Sequence, residues 1–164
     1  MLKPETRIVP EEVAPKFFAE HLKVYEFLKG EAKGKNVLEV GCGDGYGADY
    51  LAAAGFEVTA LDYDEAVIAA ARDKYHRPNL KFIPMEAGAL CFEDDSFDIV
   101  CSFQVIEHIL EADIPRYLSE IKRVLRPEGA FYLSTLNLEH AMKGSPMTYK
   151  KASSVESVGN RRQG

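Results

Sequence analysis

The chain has no tryptophan, only three cysteines, and no apolar run approaching the roughly 20 residues that cross a bilayer. Its opening stretch, MLKPETRIVPEEVAPKFF, lacks the charged-then-apolar layout of a secretory signal. Cys42, Cys91 and Cys101 are odd in number and scattered, without the spacing of a metal-ligand set, so neither a disulfide framework nor a zinc site is expected. Reduced thiols and the missing leader suggest a cytoplasmic address, with no membrane partner. Basic charge is also short: 20 Lys and Arg against 26 Asp and Glu leave a net charge of −6, which argues against a nucleic-acid partner. The deficit is uneven. Residues 138–164 hold Lys143, Lys150, Lys151, Arg161 and Arg162 against Glu139 and Glu156, so this stretch is +3 and the remainder −9. It reads as an irregular basic tail, either solvated or touching an anionic substrate or partner.

What the chain does have is length for one domain and a regular alternation of strand and helix signals. The segment EEVAPKFFAEHLKVYEFLKG predicts a helix over 11–29, with Phe18, Leu22, Tyr25 and Leu28 on one face and Gly30 as its stop. Residues 36–41 predict a first strand, and YGADYLAAAG a helix closed by Gly55. FEVTALDYD is the second strand. Asp64 then caps a helix whose inner face is Val67, Ala70, Ala71 and Tyr75, and which Pro78 keeps from continuing. LKFIP is the third strand. FDIVCSF, apolar on both faces apart from Asp98, has the character of a central parallel strand. Asp113 opens a helix with Leu118, Ile121 and Leu125 inward, and RPEG turns the chain into the fifth strand, AFYLST. The alternation predicts an α/β fold, a Rossmann-like doubly wound parallel sheet of strand order 3-2-1-4-5 over residues 1–137. A ligand would lie over the carboxyl ends of strands one and four.

The stretch VLEVGCGDGYG is the chemical centre of this pattern. A strand runs into Gly41, Gly43, Gly45 and Gly47, and then into a helix N-terminus, which makes a corner where a nucleotide or cofactor can approach bare backbone. Asp62 follows Gly41 by 21 positions, the spacing at which dinucleotide-binding domains place a ribose-binding acid. A plain dinucleotide fingerprint needs glycine at 46, where Tyr46 stands, although a shifted register (Gly43, Gly45, Ala48) fits loosely. This turn alone leaves a nicotinamide-dependent oxidoreductase open.

VLEVGCGDGYG also resembles the first motif of class I S-adenosylmethionine-dependent methyltransferases, ALDYD their second, FIPMEAGALCFEDDSFDIVCSFQVIEH their third and fourth, and IKRVLRPEGAFYLSTLN the stretch through the fifth strand. The resemblance covers roughly residues 36–137 in order, and coupled motifs are more specific than one glycine turn. It implies S-adenosylmethionine as cofactor, S-adenosylhomocysteine as product, and methylation of a small molecule at oxygen, nitrogen or carbon. Gly41, Cys42, Gly43 and Gly45 would pass beneath the methionine part, and Glu39 would hold its ammonium or instead bond loop amides. Asp62 would take both ribose hydroxyls, and Tyr63 would lie against the adenine. Glu86, where the family usually has Asp, and the Ala87 amide would meet the adenine edge, with Leu90 or Phe92 closing over the ring. Gln104 would face the methionine or the reacting centre. His108 would act as a base toward an acceptor hydroxyl, or serve only as structure. Asn137 would reach the substrate or cap a turn. The N-terminal helix, carrying His21 and Tyr25, would cover the cofactor. The family's last two strands have no evident place here, so strand five is expected to present an edge that a second copy or a partner chain covers. A non-catalytic cofactor-binding subunit is the corresponding alternative.

Overall fold

A computed structural model of the chain describes residues 7–135 and 150–152. The first helix, α1 (Pro15–Glu31), leads into β1 (Asn36–Val40), α2 (Tyr46–Ala53), β2 (Glu57–Asp62), α3 (Glu65–Lys74), β3 (Leu80–Pro84) and β4 (Phe97–Phe103). Then come α4 (Ile114–Val124), β5 (Leu125–Ser134) and β6 (Lys150–Ala152). They form one sheet of order β3-β2-β1-β4-β5-β6, in which the first five strands are mutually parallel and β6 is antiparallel to β5. The predicted order 3-2-1-4-5 is therefore the observed one.

Strand alternation sorts the core into two layers. Val37, Val58, Ala60, Phe82, Ile99, Cys101 and Tyr132 point to one face, against Val24, Tyr25 and Leu28 of α1, Leu51 of α2, and Ile68 of α3. Leu38, Val40, Leu61, Val100 and Phe131 point to the other, against Tyr117, Ile121 and Val124 of α4. Helices on both faces leave the central strands wet only at their ends, which confines a site to the strand termini. The one charged residue in β4 is structural: Asp98 accepts from the backbone amides of Lys35 (3.1 Å) and Asn36 (3.0 Å) and pairs with Arg126, tying the start of β1 to β5. These amides and Arg126 hold its carboxyl below the usual range.

Several expected faces shift. α1 starts at Pro15, runs through Gly30 and ends at Glu31, its C-cap Ala32 being extended. Its buried face is His21, Val24, Tyr25 and Leu28, while Phe18 sits at the rim with its ring edge against Tyr46. In α3 the inner residues are Ile68 and Ala71; Ala70 is exposed, and Tyr75 lies past the helix end in extended conformation. In α4 the inner face is Tyr117, Ile121 and Val124, which pack on the sheet, with Leu118 and Leu125 only half-buried; Asp113 is its N-cap position, as expected, but its side chain makes no cap hydrogen bond. RPEG is an irregularity within β5: Phe97 pairs with Leu125, the register shifts, and pairing resumes at Ile99 with Ala130.

The expected bare edge of the fifth strand is also corrected. Lys150, Lys151 and Ala152, within the stretch read as irregular tail, pair with Leu133, Tyr132 and Phe131. Asn137 lies outside the described residues.

Candidate functional site

The carboxyl ends of β1, β2 and β4 converge on the glycine turn. The amides of Gly41 and Cys42 both donate to the Leu61 carbonyl (2.8 and 2.9 Å), which draws the turn over the end of β2. Gly43 takes φ +53°, and a Cβ built there meets nothing within 4 Å, so this backbone is open to a ligand. At Gly47 the missing side chain serves a different purpose. The Tyr25 ring fills the space a Cβ would take, letting α1 cross α2 closely enough for Tyr25 to reach β1.

Two chambers open above this turn and share Gly41, Asp62 and Val105. The larger, about 380 Å³, is walled by Tyr63, Glu86, Ala87, His108 and Arg116. The smaller, about 80 Å³, is walled by Arg7, His21, Tyr25, Gly43, Gln104 and Ser134. Gln104 holds φ +57°, an uncommon conformation for a residue with a side chain, fixed by its amide donating to the Ser134 carbonyl at 2.8 Å.

Charge in the site is deliberate in placement. Glu39 is 1% exposed at the heart of β1; the Tyr25 hydroxyl donates to its Oε1 at 2.5 Å, while Oε2 has no partner. Burial pushes the Glu39 carboxyl up to about 7, against the Tyr25 hydrogen bond that favours its ionised form, with the Asp62 charge adding to the rise. Burial, then the Glu39 charge, pushes the Tyr25 phenol well up, so it remains the donor. Burial likewise raises the Cys42 thiol and keeps it unreactive. Asp62, 2% exposed, spans the turn: Oδ2 accepts from the Gly43 amide (3.2 Å) and Oδ1 from the Asp64 amide (3.1 Å). Each of its oxygens keeps lone-pair capacity for a ligand donor. Asp64 itself caps α3 through the amides of Ala66 (3.0 Å) and Val67 (3.4 Å), which leaves Asp62 for the site.

Among the described residues, the buried side-chain polar atoms without a hydrogen bond are Arg7 Nε and Nη2, Glu39 Oε2 and Ser134 Oγ; Arg7 and Ser134 line the smaller chamber, and Glu39 is bonded to Tyr25 of its wall. Natural interiors rarely leave such groups orphaned. The orphaned Glu39 Oε2 suits an ammonium, and the spare lone pairs of Asp62 suit a vicinal diol, so the residues present fit a nucleoside joined to an amino acid.

Of the residues expected from sequence, Gly41, Cys42, Gly43, Gly45, Asp62 and Gln104 gather around the turn, and Tyr63, Glu86, Ala87 and His108 line the larger chamber. Glu39 lines neither chamber and lies buried in β1, bonded to Tyr25 of the smaller chamber's wall. His108 closes a short helical turn (Ile106–His108) on the Arg116 side and is absent from the wall holding Gln104. Leu90 and Phe92 do not close the chamber: Leu90 is in the α4-side core, and Phe92 packs edge-on against Phe97 at 5.1 Å. Met85, Ile109 and Leu110 supply the apolar wall instead. Sequence reading missed Arg7 and Ser134. The only cue to Arg7 was a lone basic residue in the stretch ETRIVPEEV.

This geometry defines a Rossmann-like α/β domain whose open site lies at its topological switch point. Residues 38–133 match the methyltransferase domain family. A probable S-adenosylmethionine-dependent methyltransferase of Mycolicibacterium smegmatis is 44% identical over 121 residues, covering 74% of this chain and 46% of its own length. A probable phthiotriol/phenolphthiotriol dimycocerosates methyltransferase of Mycobacterium ulcerans is 41% identical over 115 residues, 68% of this chain and 44% of that protein. The solved structure of a Pyrococcus horikoshii protein superposes with a TM-score of 0.75 at 29% identity, covering 87% of this chain and 70% of that one. The chain belongs to the class I S-adenosylmethionine-dependent methyltransferase family, and the oxidoreductase alternative is overturned. It spans about half the length of the curated relatives it matches. Among the described residues, no helix is long and apolar enough to cross a membrane, and no group of His, Cys, Asp and Glu could hold a metal ion.

Proposed function

We propose that this chain forms the cofactor-binding body of an enzyme that methylates a small molecule at a hydroxyl oxygen. The observation that carries the cofactor half is the buried carboxylate pair, Glu39 with an unpartnered oxygen and Asp62 held by two loop amides. The hydroxyl half is supported by the triol named in the Mycobacterium ulcerans relative. When bound, S-adenosylmethionine would supply a methyl group on a sulfonium: the carbon–sulfur bond would break as the carbon–oxygen bond formed, the acceptor hydroxyl giving its proton to a base or to solvent and S-adenosylhomocysteine leaving. The chain's own residues do the positioning. Asp62 fixes the ribose, Tyr63 and Ala87 the base, and Glu39 the ammonium. The wall of Gln104 and Tyr25 excludes water from the methionine end. In-line placement accounts for much of the rate in such a transfer. A base role for His108 requires the acceptor to enter through the larger chamber.

The chain's length relative to its relatives favours a second reading, a cofactor-binding unit whose acceptor site comes from elsewhere. Incubation with methyl-tritiated S-adenosylmethionine and a set of aliphatic and phenolic alcohols separates the two. Label in the organic extract, lost in Asp62→Ala, is the expected result. Normal S-adenosylhomocysteine binding without any label transfer would support the second reading. Unchanged transfer by His108→Ala would remove the base role.

A further inference from the structure

We infer that Arg7 recognises the carboxylate of the bound cofactor, so that the site selects a ligand with a complete α-amino-acid tail over one trimmed to an amine. This rests on the cofactor reading above and goes beyond it. Arg7 lies just ahead of α1 and forms part of the smaller chamber's wall, with its side chain 15% exposed. Its Nη2 is 3.5 Å from Asp62 Oδ1 and 3.3 Å from Asp64 Oδ2, and its Cζ stands 6.0 Å from the centre of the Tyr63 ring. These neighbours balance its charge but do not fill its donors, since neither Nε nor Nη2 makes a hydrogen bond among the described residues.

A guanidinium is always charged, donates only, and presents a planar fork that matches two carboxylate oxygens. Leaving two of its donors buried and empty is costly unless a ligand fills them. The complementary vacancy is nearby. Glu39 Oε2 is an acceptor without a donor, held in place by Tyr25 of the same wall. The chamber wall thus holds unfilled cationic donors on Arg7, and behind its Tyr25 stands an unfilled carboxyl oxygen of Glu39. The ligand fragment that answers both is a zwitterion, with carboxylate on Arg7 and ammonium on Glu39. Ribose hydroxyls or the adenine edge could bond either group, but neither carries the charge that matches it. If Arg7 served only to neutralise Asp62 and Asp64, its loss would weaken every ligand that uses Asp62, with or without a carboxylate.

That difference gives the test. The full chain, Arg7→Gln and Arg7→Lys are titrated calorimetrically with S-adenosylhomocysteine and with its decarboxylated analogue, which keeps the ammonium, thioether, ribose and base. The wild type is expected to prefer S-adenosylhomocysteine by roughly ten- to a hundredfold, the range of a charge-assisted hydrogen-bonded pair. Arg7→Gln is expected to abolish this preference by weakening S-adenosylhomocysteine alone, and Arg7→Lys to retain part of it. A preference unchanged in Arg7→Gln, or an equal loss for both ligands, would overturn the assignment. Equal binding of both ligands by the wild type would overturn it while leaving the cofactor reading intact. Binding of neither would take down both.

Discussion

At the scale of single residues, Glu39 has the sharpest consequence. Its carboxyl, ordinarily at 4.5, is raised to about 7 by burial. Between those values the folded chain holds a proton that the unfolded chain has released. Glu39 therefore costs stability as pH rises through that window, on the order of 3 kcal/mol if fully expressed, and the loss levels off above it. An ammonium on the orphaned Oε2 reverses the preference and favours the ionised form. Cofactor binding at pH 6.5 is thus expected to release a proton, seen as a binding heat that depends on the buffer's ionisation enthalpy, and affinity is expected to rise toward pH 7.5. In Glu39→Gln both the proton release and the pH slope should vanish. A buffer-independent heat for the wild type would show that Glu39 does not meet the ammonium. Glu39, Asp62 and the glycines were legible from sequence because they sit within one strand-turn-helix signal. Arg7 was not, because its carboxylate partners lie more than fifty residues away and no local pattern records them.

At the scale of elements, every predicted strand and helix is present, since glycine, proline and capping signals act locally. What moved is the rotational phase of α1, α3 and α4. In each short helix the sequence offers two adjacent apolar stripes, and contact with the sheet decides between them: Ile68 over Val67, Tyr117 over Leu118, and Val24 over Leu22. The consequence at α1 reaches the site, because the chosen face carries His21 and Tyr25 inward together. Of the caps, Asp64 is the one whose side chain bonds the helix start. Asp64→Ala is expected to lower unfolding free energy by about 1 kcal/mol in urea denaturation. Loss near zero would mean that α3 is held by packing of Ile68 and Ala71 alone.

At the scale of the whole molecule, two apolar layers on one parallel sheet leave a single rim where strand ends, glycine turn and buried carboxylates meet. The domain order was readable because parallel strands need crossovers and crossovers have one hand. The pairing of Lys150–Ala152 along β5 was not, because three residues in a polar, basic stretch carry no periodicity. The central claim is that this rim is a site for S-adenosylmethionine built around Asp62. Calorimetric titration of the wild type and Asp62→Ala with S-adenosylhomocysteine, with NAD as control, tests it most directly. The account predicts that the wild type binds S-adenosylhomocysteine and not NAD, and that Asp62→Ala loses at least tenfold in affinity, the scale of a charged hydrogen-bond pair. Binding of NAD, or undiminished binding of S-adenosylhomocysteine by Asp62→Ala, would contradict it.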